Sequence, residues 1–344
     1  MKAVVLVGGE GTRLRPLTET IPKTLLPFMN RPLLDHVLDR LAEHGVDEAI
    51  CSSPYLEPGF RRFLESRPAT SPEVRWITED VPLGTAGAIA GAAKHLDGTF
   101  LALNGDILAD LDLSELVRFH HDQGATATIA LHRVEDARPF GLVEMDHDGR
   151  VRAFREKPED AAPGNINAGA YVLEPEALGG IPPGEMVSIE RQTFPGLIAS
   201  GAPVFARAAP GYWRDMGTPQ DYLQGHLDAL EGRIGAYRGI PRPLVAPSAE
   251  VDAGADVRPL VVLGAGVRVA RGARVDRSVL HDHAAVGADA LVEDTVLGPA
   301  SVVEEGAEVR GAVLAQDARV PAGMCLEDVK VRPGQWPPSG GPAS

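Results

Sequence analysis

The segment LVGGEGTRLRPLTETIPK, residues 6–23, joins an apolar run to three glycines in four positions and then to Arg13, Arg15 and Lys23. The backbone amides of a glycine-rich loop can surround a polyphosphate, and basic side chains add charge-assisted hydrogen bonds. No lysine follows the glycines directly, as a Walker loop requires, and Leu14 stands where a dinucleotide fingerprint has its third glycine. The pattern therefore predicts a phosphate-binding loop of another type.

This loop and a second polar turn, NGD at 104–106, each follow an apolar run that is typical of a buried strand. Strand patterns alternate with helix patterns: strands at 2–9, 47–53, 73–78, 99–106 and 125–134, helices at 32–45, 85–96 and 113–124. The alternation predicts an α/β fold, a Rossmann-like, mostly parallel mixed sheet with helices on both faces. Because ligands of such sheets bind beyond the carboxyl ends of the strands, we expect residues 8–15 and 104–106 at the same rim.

The later part of the sequence carries a repeat. Four consecutive segments of 17 residues begin with leucines: Leu263, Leu280, Leu297 and Leu314. Within each segment aliphatic residues stand six positions apart, as Leu263, Val269 and Val275 do. One apolar residue in every six, with Gly, Ala and Asp between, is the hexapeptide pattern of a parallel β-helix. Each hexad is expected to form one flat side of a three-sided coil, with its aliphatic side chain pointing inward.

Composition limits the class of protein. The formal net charge of −15 argues against nucleic acid as a partner, because a phosphate backbone selects basic surfaces. Two cysteines, Cys51 and Cys325, supply neither a disulfide framework nor the spacing of a metal site. The N-terminal apolar run is too short for a signal peptide, and no run approaches the roughly 18 residues of a membrane span. We therefore expect a cytoplasmic protein that binds neither nucleic acid nor membrane.

These patterns divide the 344 residues into two predicted domains and a tail. An α/β domain is expected over residues 1–235, and a β-helix domain over 244–331, after the proline-punctuated stretch YRGIPRPLVAP. Residues 332–344 are predicted to form a disordered tail. The open end of a β-helix exposes backbone groups that need covering, so we expect a homo-oligomer formed through this domain.

Six motifs occur in order along the chain: GGEGTRLRPLT…PK at the start, LGTAGA at 83–88, NGD at 104–106, FREKP at 154–158, NAG at 167–169 and GYWRDMGTP at 211–219. Together they resemble the sugar-1-phosphate nucleotidylyltransferases, and within them the mannose-1-phosphate guanylyltransferases, which end in a left-handed β-helix. The resemblance covers nearly the whole chain and implies that residues 1–235 form a nucleotidyltransferase catalytic domain. It departs at PKTLLPF, where the family usually has a second proline after the lysine, and in the final residues.

The resemblance implies a reaction in which a nucleoside triphosphate and a sugar 1-phosphate form a nucleotide sugar and pyrophosphate. The sugar phosphate oxygen attacks the α-phosphorus in line, and repulsion between the two polyanions is the main obstacle. Arg13 and Lys23 are implied to bind the triphosphate and to neutralise the departing pyrophosphate. The full set of implied nucleotide-binding residues is Leu6, Gly8, Gly9, Gly11, Thr12, Arg13, Lys23, Glu79, Gly84 and Thr85.

The motifs FREKP and NAG are implied to bind the sugar phosphate. By resemblance Glu156 accepts hydrogen bonds from sugar hydroxyls and Lys157 binds the phosphate. Gly141 and Asn167 would complete this pocket, since an asparagine offers hydroxyls both a donor and an acceptor. Neighbours on a strand point to opposite faces, so Glu156 and Lys157 can both act only if the strand ends or bulges at Pro158.

Two aspartates are implied to hold Mg²⁺. Asp106 follows a predicted strand, and Asp215 lies in the motif GYWRDMGTP. Mg²⁺ prefers carboxylate and phosphate oxygens, and two converging carboxylates would hold it against the α-phosphate. With this metal site, the residues to which the resemblance assigns catalytic roles are Arg13, Lys23, Asp106, Lys157 and Asp215.

Glu79, in ITEDVPLGTAGAI, is the candidate for reading the base, with Asp80 as the alternative. It precedes the turn at Gly84, and Thr85 is the expected N-cap of the following helix. Thymidylyl- and uridylyl-transferring relatives tend to have glutamine here, whereas a carboxylate offers only acceptors, which match the N1–H and N2–H₂ donors of guanine. GTP is therefore favoured, with mannose 1-phosphate as the sugar. The alternative is dTTP or UTP with glucose 1-phosphate or a cyclitol phosphate.

Two other classes of function fit parts of the sequence. A non-catalytic regulatory subunit that senses nucleotide sugars is expected to lack a charged site residue, yet all five catalytic candidates are present. A β-helix acyltransferase needs a histidine base at a coil edge, for which His281 and His283 are candidates. The β-helix is short for that activity, so packing or oligomerisation is its favoured role.

Overall fold

The fold is given by a computed structural model that describes residues 1–54, 58–67 and 72–337. The end of the predicted tail, 338–344, lies outside the described residues. The chain forms two compact units. The first unit comprises Met1–Gly9 and Leu34–Trp213, and the second unit comprises Glu10–Leu33 and Arg214–Ser344. The glycine-rich loop is therefore divided, because Gly8 and Gly9 belong to the first unit and Gly11 to the second.

The helices and strands before the repeat follow one another in two groups. The first group is β1 (Lys2–Leu6), β2 (Pro27–Phe28), β3 (Arg31–Pro32), α1 (Leu33–Glu43), β4 (Glu48–Ser53), α2 (Pro58–Ser66), β5 (Glu73–Thr78), α3 (Gly84–Gly91), β6 (Phe100–Asn104), β7 (Ile107–Ala109), α4 (Leu113–Asp122) and β8 (Ala127–Val134). The second group is β9 (Gly141–Met145), β10 (Val151–Glu156), β11 (Gly164–Leu173), α5 (Phe194–Ala199), β12 (Val204–Ala208), β13 (Trp213–Asp215) and α6 (Pro219–Leu230).

Among the described residues of the first unit, nine strands form one sheet with the order β10–β9–β11–β6–β1–β4–β5, and β8 and β12 extend it from β11. Strands β6, β1, β4 and β5 are parallel, so the carboxyl ends of β1 and β6 meet, with Leu6 opposite Asn104. Strand β11 runs antiparallel to both β6 and β8, which makes the sheet mixed on that side. The predicted Rossmann-like sheet is confirmed. Of the predicted rim, Gly8 and Gly9 lie with Asn104 and Asp106, whereas residues 10–15 belong to the second unit.

Burial on both faces explains why the central strands read as continuous apolar runs. In β1, the side chains Ala3, Val4 and Val5 are fully buried, and β4 and β6 are buried in the same way. Helix α1 contributes Leu34 and Leu38, which recur at helical spacing and are fully buried. Within the described residues, no helix is both long and apolar enough to cross a membrane.

The repeat forms a parallel β-helix of three sheets, as predicted. Its strands are β14 (Leu244–Val245), β15 (Glu250–Val251), β16 (Asp256–Val257), β17 (Val262–Leu263), β18 (Arg268–Val269), β19 (Arg274–Asp276), β20 (Val279–Leu280), β21 (Ala285–Val286), β22 (Leu291–Glu293), β23 (Val296–Leu297), β24 (Val302–Val303), β25 (Glu308–Arg310), β26 (Val313–Leu314), β27 (Arg319–Val320), β28 (Cys325–Glu327) and β29 (Lys330–Val331). Each strand before the ends of the three sheets pairs in parallel with the strand one coil later, as Leu263 does with Leu280. The hexad aliphatics Leu263, Val269 and Val275 are at most 2% exposed, so they point into the coil as expected.

One outer side of the β-helix is apolar as well. The sheet β14–β17–β20–β23–β26–β29 presents a column of valines on its outer face, which we call the valine column: Val262, Val279, Val296 and Val313. All four are at most 5% exposed. The other two sheets place exposed arginines such as Arg268 and Arg274 at the corresponding positions. The valine column is therefore a packing surface, and its partner is identified below.

Candidate active site

A cavity of about 310 Å³ lies in the first unit at the carboxyl ends of β1 and β6. Its lining includes Asp106 and six of the residues predicted to bind the nucleotide: Leu6, Gly8, Gly9, Glu79, Gly84 and Thr85. The remaining lining residues are Ser52, Pro54, Pro82, Leu83, Ala88 and Asn104. The structure thus brings together the predicted residues of the first unit on the nucleotide side.

Close packing explains the first glycine of the loop. A Cβ atom on Gly8 would lie 2.6 Å from Pro54 Cδ and 3.2 Å from Ser53 Cα, so no side chain fits at this point. The end of β6 is tied to the same strand, because the amide of Gly105 donates to the Leu6 carbonyl over 3.0 Å. This bond holds the turn that carries Asp106 beside the end of β1.

Glu79 is held rigidly at the cavity. Its side chain is 7% exposed, and each carboxylate oxygen accepts one hydrogen bond from the protein. Ser52 Oγ donates to Oε1 over 2.9 Å, and the amide of Leu83 donates to Oε2 over 3.0 Å. A carboxylate oxygen has two lone pairs, so both oxygens can accept a further bond from a ligand. The fixed carboxylate presents acceptors alone to the cavity.

The helix after Glu79 begins differently from the prediction. Helix α3 starts at Gly84, and its N-cap residue is Leu83, without a side-chain cap. Thr85 lies within the first turn, where its hydroxyl donates to Glu190 Oε2 over 2.8 Å and accepts from the amide of Ile189. The expectation that Thr85 is the N-cap is wrong, because its hydroxyl bonds across to another segment. Gly84 has a φ of 69°, and a Cβ there would lie 2.8 Å from the Val187 carbonyl oxygen.

The strand β10 ends at Glu156, and Lys157 adopts a left-handed φ of 53°. The chain therefore turns between the two residues, as the sequence required if both are to act. A Cβ on Gly141 would lie 2.6 Å from Phe154 Cζ and 3.0 Å from Glu156 Oε2. Gly141 leaves the space that the carboxylate of Glu156 occupies.

Asn167 is oriented by two hydrogen bonds. Its Nδ2 donates to the Tyr171 hydroxyl over 2.7 Å, and its Oδ1 accepts from the amide of Gly169 over 2.9 Å. The pairing of β11 with β8 shifts register between Asn167 and Tyr171, so the strand bulges at this point. Burial raises the pKa of Tyr171 well above its usual value, and the charge of Glu190 adds to the rise.

Glu190 is a candidate site residue that the sequence analysis missed. It lies on a single π-helical turn, Ile189–Thr193, and it accepts from Ser188 Oγ over 2.6 Å. Burial raises the pKa of Glu156, and the negative charge of Glu190 raises it further, whereas the positive charges of Lys157 and Arg191 lower it. The carboxylates of Glu156 and Glu190 therefore lie close enough for their charges to interact. The segment SIERQT has no periodic pattern or motif that would single it out.

The second unit contains the other charged candidates. Asp215 accepts from Arg13 Nη2 over 3.2 Å, and its Oδ1 lies 3.5 Å from Lys23 Nζ. The side chain of Lys23 is 8% exposed, whereas that of Arg13 is 64% exposed. A charge this deeply buried needs a partner, which Asp215 supplies. The structure brings Arg13, Lys23 and Asp215 together as one cluster, which we call the basic cluster.

Two glycines keep the basic cluster in place. A Cβ on Gly217 would lie 2.7 Å from Arg13 Nη2 and 2.8 Å from Asp215 Oδ2. Gly11 has a φ of 60°, and a Cβ there would lie 3.2 Å from Lys23 Cβ. Thr12 follows it in the turn Thr12–Leu14. Glycine is favoured at position 11 by its positive φ, and a side chain at position 217 would displace the charged groups.

The two aspartates belong to different units, so the convergence of Asp106 and Asp215 stays a prediction. Within the described ranges, no three His, Cys, Asp or Glu side chains are grouped to hold a metal ion. Mg²⁺ is usually bound by one or two carboxylates, with water and substrate phosphates completing its shell. The carboxylates of Asp106 and Asp215 fit that donor chemistry.

Comparison with known proteins supplies the family. Residues 2–232 match the family described as nucleotidyl transferase. The chain belongs to this family. Residues 240–335 match the family described as the GMPPB C-terminal domain, which covers the β-helix.

Relatives of known name match most of the chain. The mannose-1-phosphate guanylyltransferase of Mycobacterium tuberculosis is 40% identical over 85% of this chain and 82% of its own length. The mannose-1-phosphate guanylyltransferase 1 of Arabidopsis thaliana is 36% identical over 87% and 86%. The UTP–glucose-1-phosphate uridylyltransferase of Synechocystis is 30% identical over 87% of each. The crystal structure of HddC from Yersinia pseudotuberculosis complexed with GMP-PN matches with a TM-score of 0.58 and 29% identity, over 65% of this chain and 97% of HddC.

As a nucleotidyl transferase, the protein is an enzyme of a family whose substrates are a nucleoside triphosphate and a sugar phosphate, and whose members use a divalent metal. The β-helix histidine His281 does not fit an acyltransferase base. It is 2% exposed, and its Nε2 is hydrogen-bonded to the Tyr222 hydroxyl. A general base must reach its substrate, which a buried imidazole cannot.

Proposed function

We propose that this nucleotidyl transferase forms GDP-mannose from GTP and mannose 1-phosphate. The similarity to mannose-1-phosphate guanylyltransferases, at 36–40% identity over more than four-fifths of each chain, carries the proposal. An oxygen of the sugar phosphate forms a bond to the α-phosphorus, the bond to the β-phosphate breaks, and pyrophosphate leaves with the electron pair. The fixed acceptors of Glu79 at the cavity support guanine as the base.

The charged residues have separate roles in this reaction. Arg13 and Lys23 bind the triphosphate and neutralise the pyrophosphate as it departs. Lys157 binds the phosphate of the sugar, and Glu156 accepts from its hydroxyls. Asn167 has Nδ2 and Oδ1 already bonded, so it contacts the sugar through the remaining hydrogen of Nδ2 or the remaining lone pair of Oδ1.

Mg²⁺ is the proposed divalent cation. Asp106 and Asp215 would hold it, and the ion would neutralise charge on the α-phosphate. Asp215 is also paired with Arg13 and Lys23, which hold its carboxylate in place. Gly11 and Thr12 would supply backbone and hydroxyl contacts to the triphosphate.

A second substrate pair is kept because of the Synechocystis relative, which is named as a UTP–glucose-1-phosphate uridylyltransferase. A matrix of GTP, UTP, dTTP and ATP against mannose 1-phosphate, glucose 1-phosphate and a cyclitol phosphate decides between them. Pyrophosphate release with Mg²⁺ is the readout. GTP with mannose 1-phosphate is expected to give the highest kcat/KM, and a higher value for any other pair contradicts the proposal.

Replacement of Glu79 by glutamine tests the assignment of the base. The amide keeps one acceptor but gains a donor, which opposes the donors of guanine and matches a pyrimidine carbonyl. We expect the ratio of kcat/KM for GTP to that for UTP to fall about tenfold, since one hydrogen bond to a charged group is lost. Asp80→Asn is the matched control, because Asp80 is the exposed neighbour. An unchanged ratio in Glu79→Gln, or an equal fall in Asp80→Asn, removes the assignment.

We further propose a cytoplasmic homo-oligomer with a catalytic domain over 1–235 and a β-helix domain over 244–331. The first coil supports this proposal: Val245 and Val251 occupy inward positions but are each 39% exposed. Among the described strands, β14, β15 and β16 pair only with the next coil. A second copy would cover this end. Val251→Lys is expected to lower the mass measured by sedimentation, and an unchanged mass contradicts assembly at this end.

A further inference from the structure

Two residues of the basic cluster, Arg13 and Lys23, lie on a segment that packs against the β-helix. Residues Glu10–Leu33 belong to the same unit as α6 and the repeat. Leu14, Leu17 and Leu26 from this segment are at most 2% exposed and form one core cluster with Val296 and Val313 of the valine column. The segment that carries Arg13 and Lys23 is thus the partner of the apolar side of the β-helix.

A chain of hydrogen bonds crosses the same contact. The hydroxyl of Tyr222, on α6, donates to the carbonyl of Pro27. The Nε2 of His281, in the turn after β20, lies 2.9 Å from that hydroxyl. Because a carbonyl can only accept, the tyrosine proton goes to Pro27, and Nε2 must carry the proton that His281 gives to Tyr222. The two side chains are at most 2% exposed.

The imidazole of His281 is specialised for this one bond. Among the described residues, its Nδ1 has no hydrogen-bond partner. Burial lowers the pKa of His281 to about 3, and the neighbouring His226 lowers it in the same direction, so the ring is neutral. A buried neutral imidazole with a single partner offers one directed donor. Its direction is set by the coil, since the His281 amide donates to the Leu297 carbonyl over 2.8 Å.

Pro27 is connected to Lys23 by a tight turn. The amide of Leu26 donates to the Lys23 carbonyl, and the amide of Leu25 donates to the Pro22 carbonyl over 2.8 Å. A second tie comes from Asn30, whose Nδ2 donates to the Leu263 carbonyl over 2.9 Å. Movement of the Pro27 carbonyl would therefore move the backbone of Lys23.

We propose that Tyr222 and His281 are positioning residues of the transferase reaction, which fix the Pro27 carbonyl and through it the side chain of Lys23. The β-helix then acts in catalysis as the support of the triphosphate-binding segment. This inference rests on the proposed function. We expect Tyr222 and His281 to affect the binding of the triphosphate and not that of the sugar phosphate, because Glu156 and Lys157 belong to the first unit.

Tyr222→Phe is the decisive variant, because it removes one oxygen and keeps the ring. The KM for GTP is expected to rise about tenfold, since displacement of a binding group by a fraction of an ångström is enough for such a loss. The KM for mannose 1-phosphate is expected to stay within about twofold of the wild-type value. Pyrophosphate release gives both constants, and calorimetry with an α,β-methylene analogue of GTP gives the affinity without turnover.

His281 supplies a matched pair of variants. His281→Leu is expected to reproduce the effect of Tyr222→Phe, whereas His281→Gln keeps a donor near the position of Nε2 and is expected to restore the KM for GTP. His283→Leu, at an exposed position of the same turn, is the control. Should His281→Leu fail to fold, Tyr222→Phe decides alone.

The outcomes separate this inference from the proposed function. Absence of pyrophosphate release by the wild-type protein with every substrate pair contradicts the proposed function and this inference with it. Wild-type release together with an unchanged KM for GTP in Tyr222→Phe contradicts the inference alone. A fall in thermal stability without a selective rise in the KM for GTP assigns the two residues a purely structural role and also overturns it.

Discussion

Replacement of Asp106 by asparagine is expected to lower kcat/KM about a thousandfold while the protein remains folded. The residue lies in the turn after β6, beside the end of β1, and lines the cavity that contains Glu79. Asparagine has the same size, so packing at this half-buried position is preserved. It removes the negative charge that the proposed Mg²⁺ requires, and the metal supplies several kcal/mol of transition-state stabilisation.

Pyrophosphate release at saturating Mg²⁺ measures this effect, and thermal unfolding shows whether the fold is intact. The exposed Asp122, at the end of α4, provides the control Asp122→Asn, which is expected to leave kcat/KM unchanged. Turnover within tenfold of wild type in Asp106→Asn contradicts a role for this carboxylate in holding the metal. The same substitution at Asp215 tests the other half of the predicted pair.

Replacement of Gly217 by alanine is expected to lower kcat/KM about a hundredfold with little change in stability. The new Cβ would lie 2.7 Å from Arg13 Nη2 and 2.8 Å from Asp215 Oδ2. The end of the exposed Arg13 side chain can move away at little cost, and the ion pair is then broken. The loss is therefore functional, since it separates the groups of the basic cluster without disturbing the core.

The control for this variant is Gly196→Ala in α5, where a Cβ meets no atom within 4 Å. Steady-state kinetics and the midpoint of thermal unfolding are measured for both. We expect Gly217→Ala to raise the KM for GTP and to shift the midpoint by no more than a few degrees. Unchanged kinetics would mean that the contact of Arg13 with Asp215 is dispensable; a large fall in the midpoint would mean that Gly217 supports the fold.

The β-helix could be predicted from the sequence because the spacing of its aliphatic residues corresponds directly to the geometry of the coil. Aliphatic residues such as Val269 recur every six positions and point inward, so the coil, its register and its core can be derived from this spacing. The positions of Gly8 and Asp106 at the edge of the sheet could also be predicted, since both lie in polar turns that follow strands buried on both faces. These features depend on local order along the chain.

The parts that the sequence did not predict depend on contacts between distant residues. Thr85 has the type and position of an N-cap, but its hydroxyl bonds to Glu190, which lies on an unpatterned turn far along the chain. The bond between His281 and Tyr222 likewise joins residues that no motif connects. The valine column could have been predicted, because valines such as Val279 and Val296 recur every 17 residues. Its packing partner could not, because no pattern in residues 10–33 indicates the surface against which they pack.

The packing of residues 10–33 onto α6 and the β-helix has a consequence for biosynthesis. Leu14, Leu17 and Leu26 leave the ribosome early, while Tyr222, Val296 and Val313 follow roughly 200 to 300 residues later, which at bacterial or eukaryotic rates is an interval of about 10 to 60 s. Throughout that time the nascent chain exposes three leucines beside the residues that are proposed to bind the triphosphate. A messenger cut short upstream of the repeat is therefore expected to yield a polypeptide in which Leu14, Leu17 and Leu26 lack the packing partners Val296 and Val313.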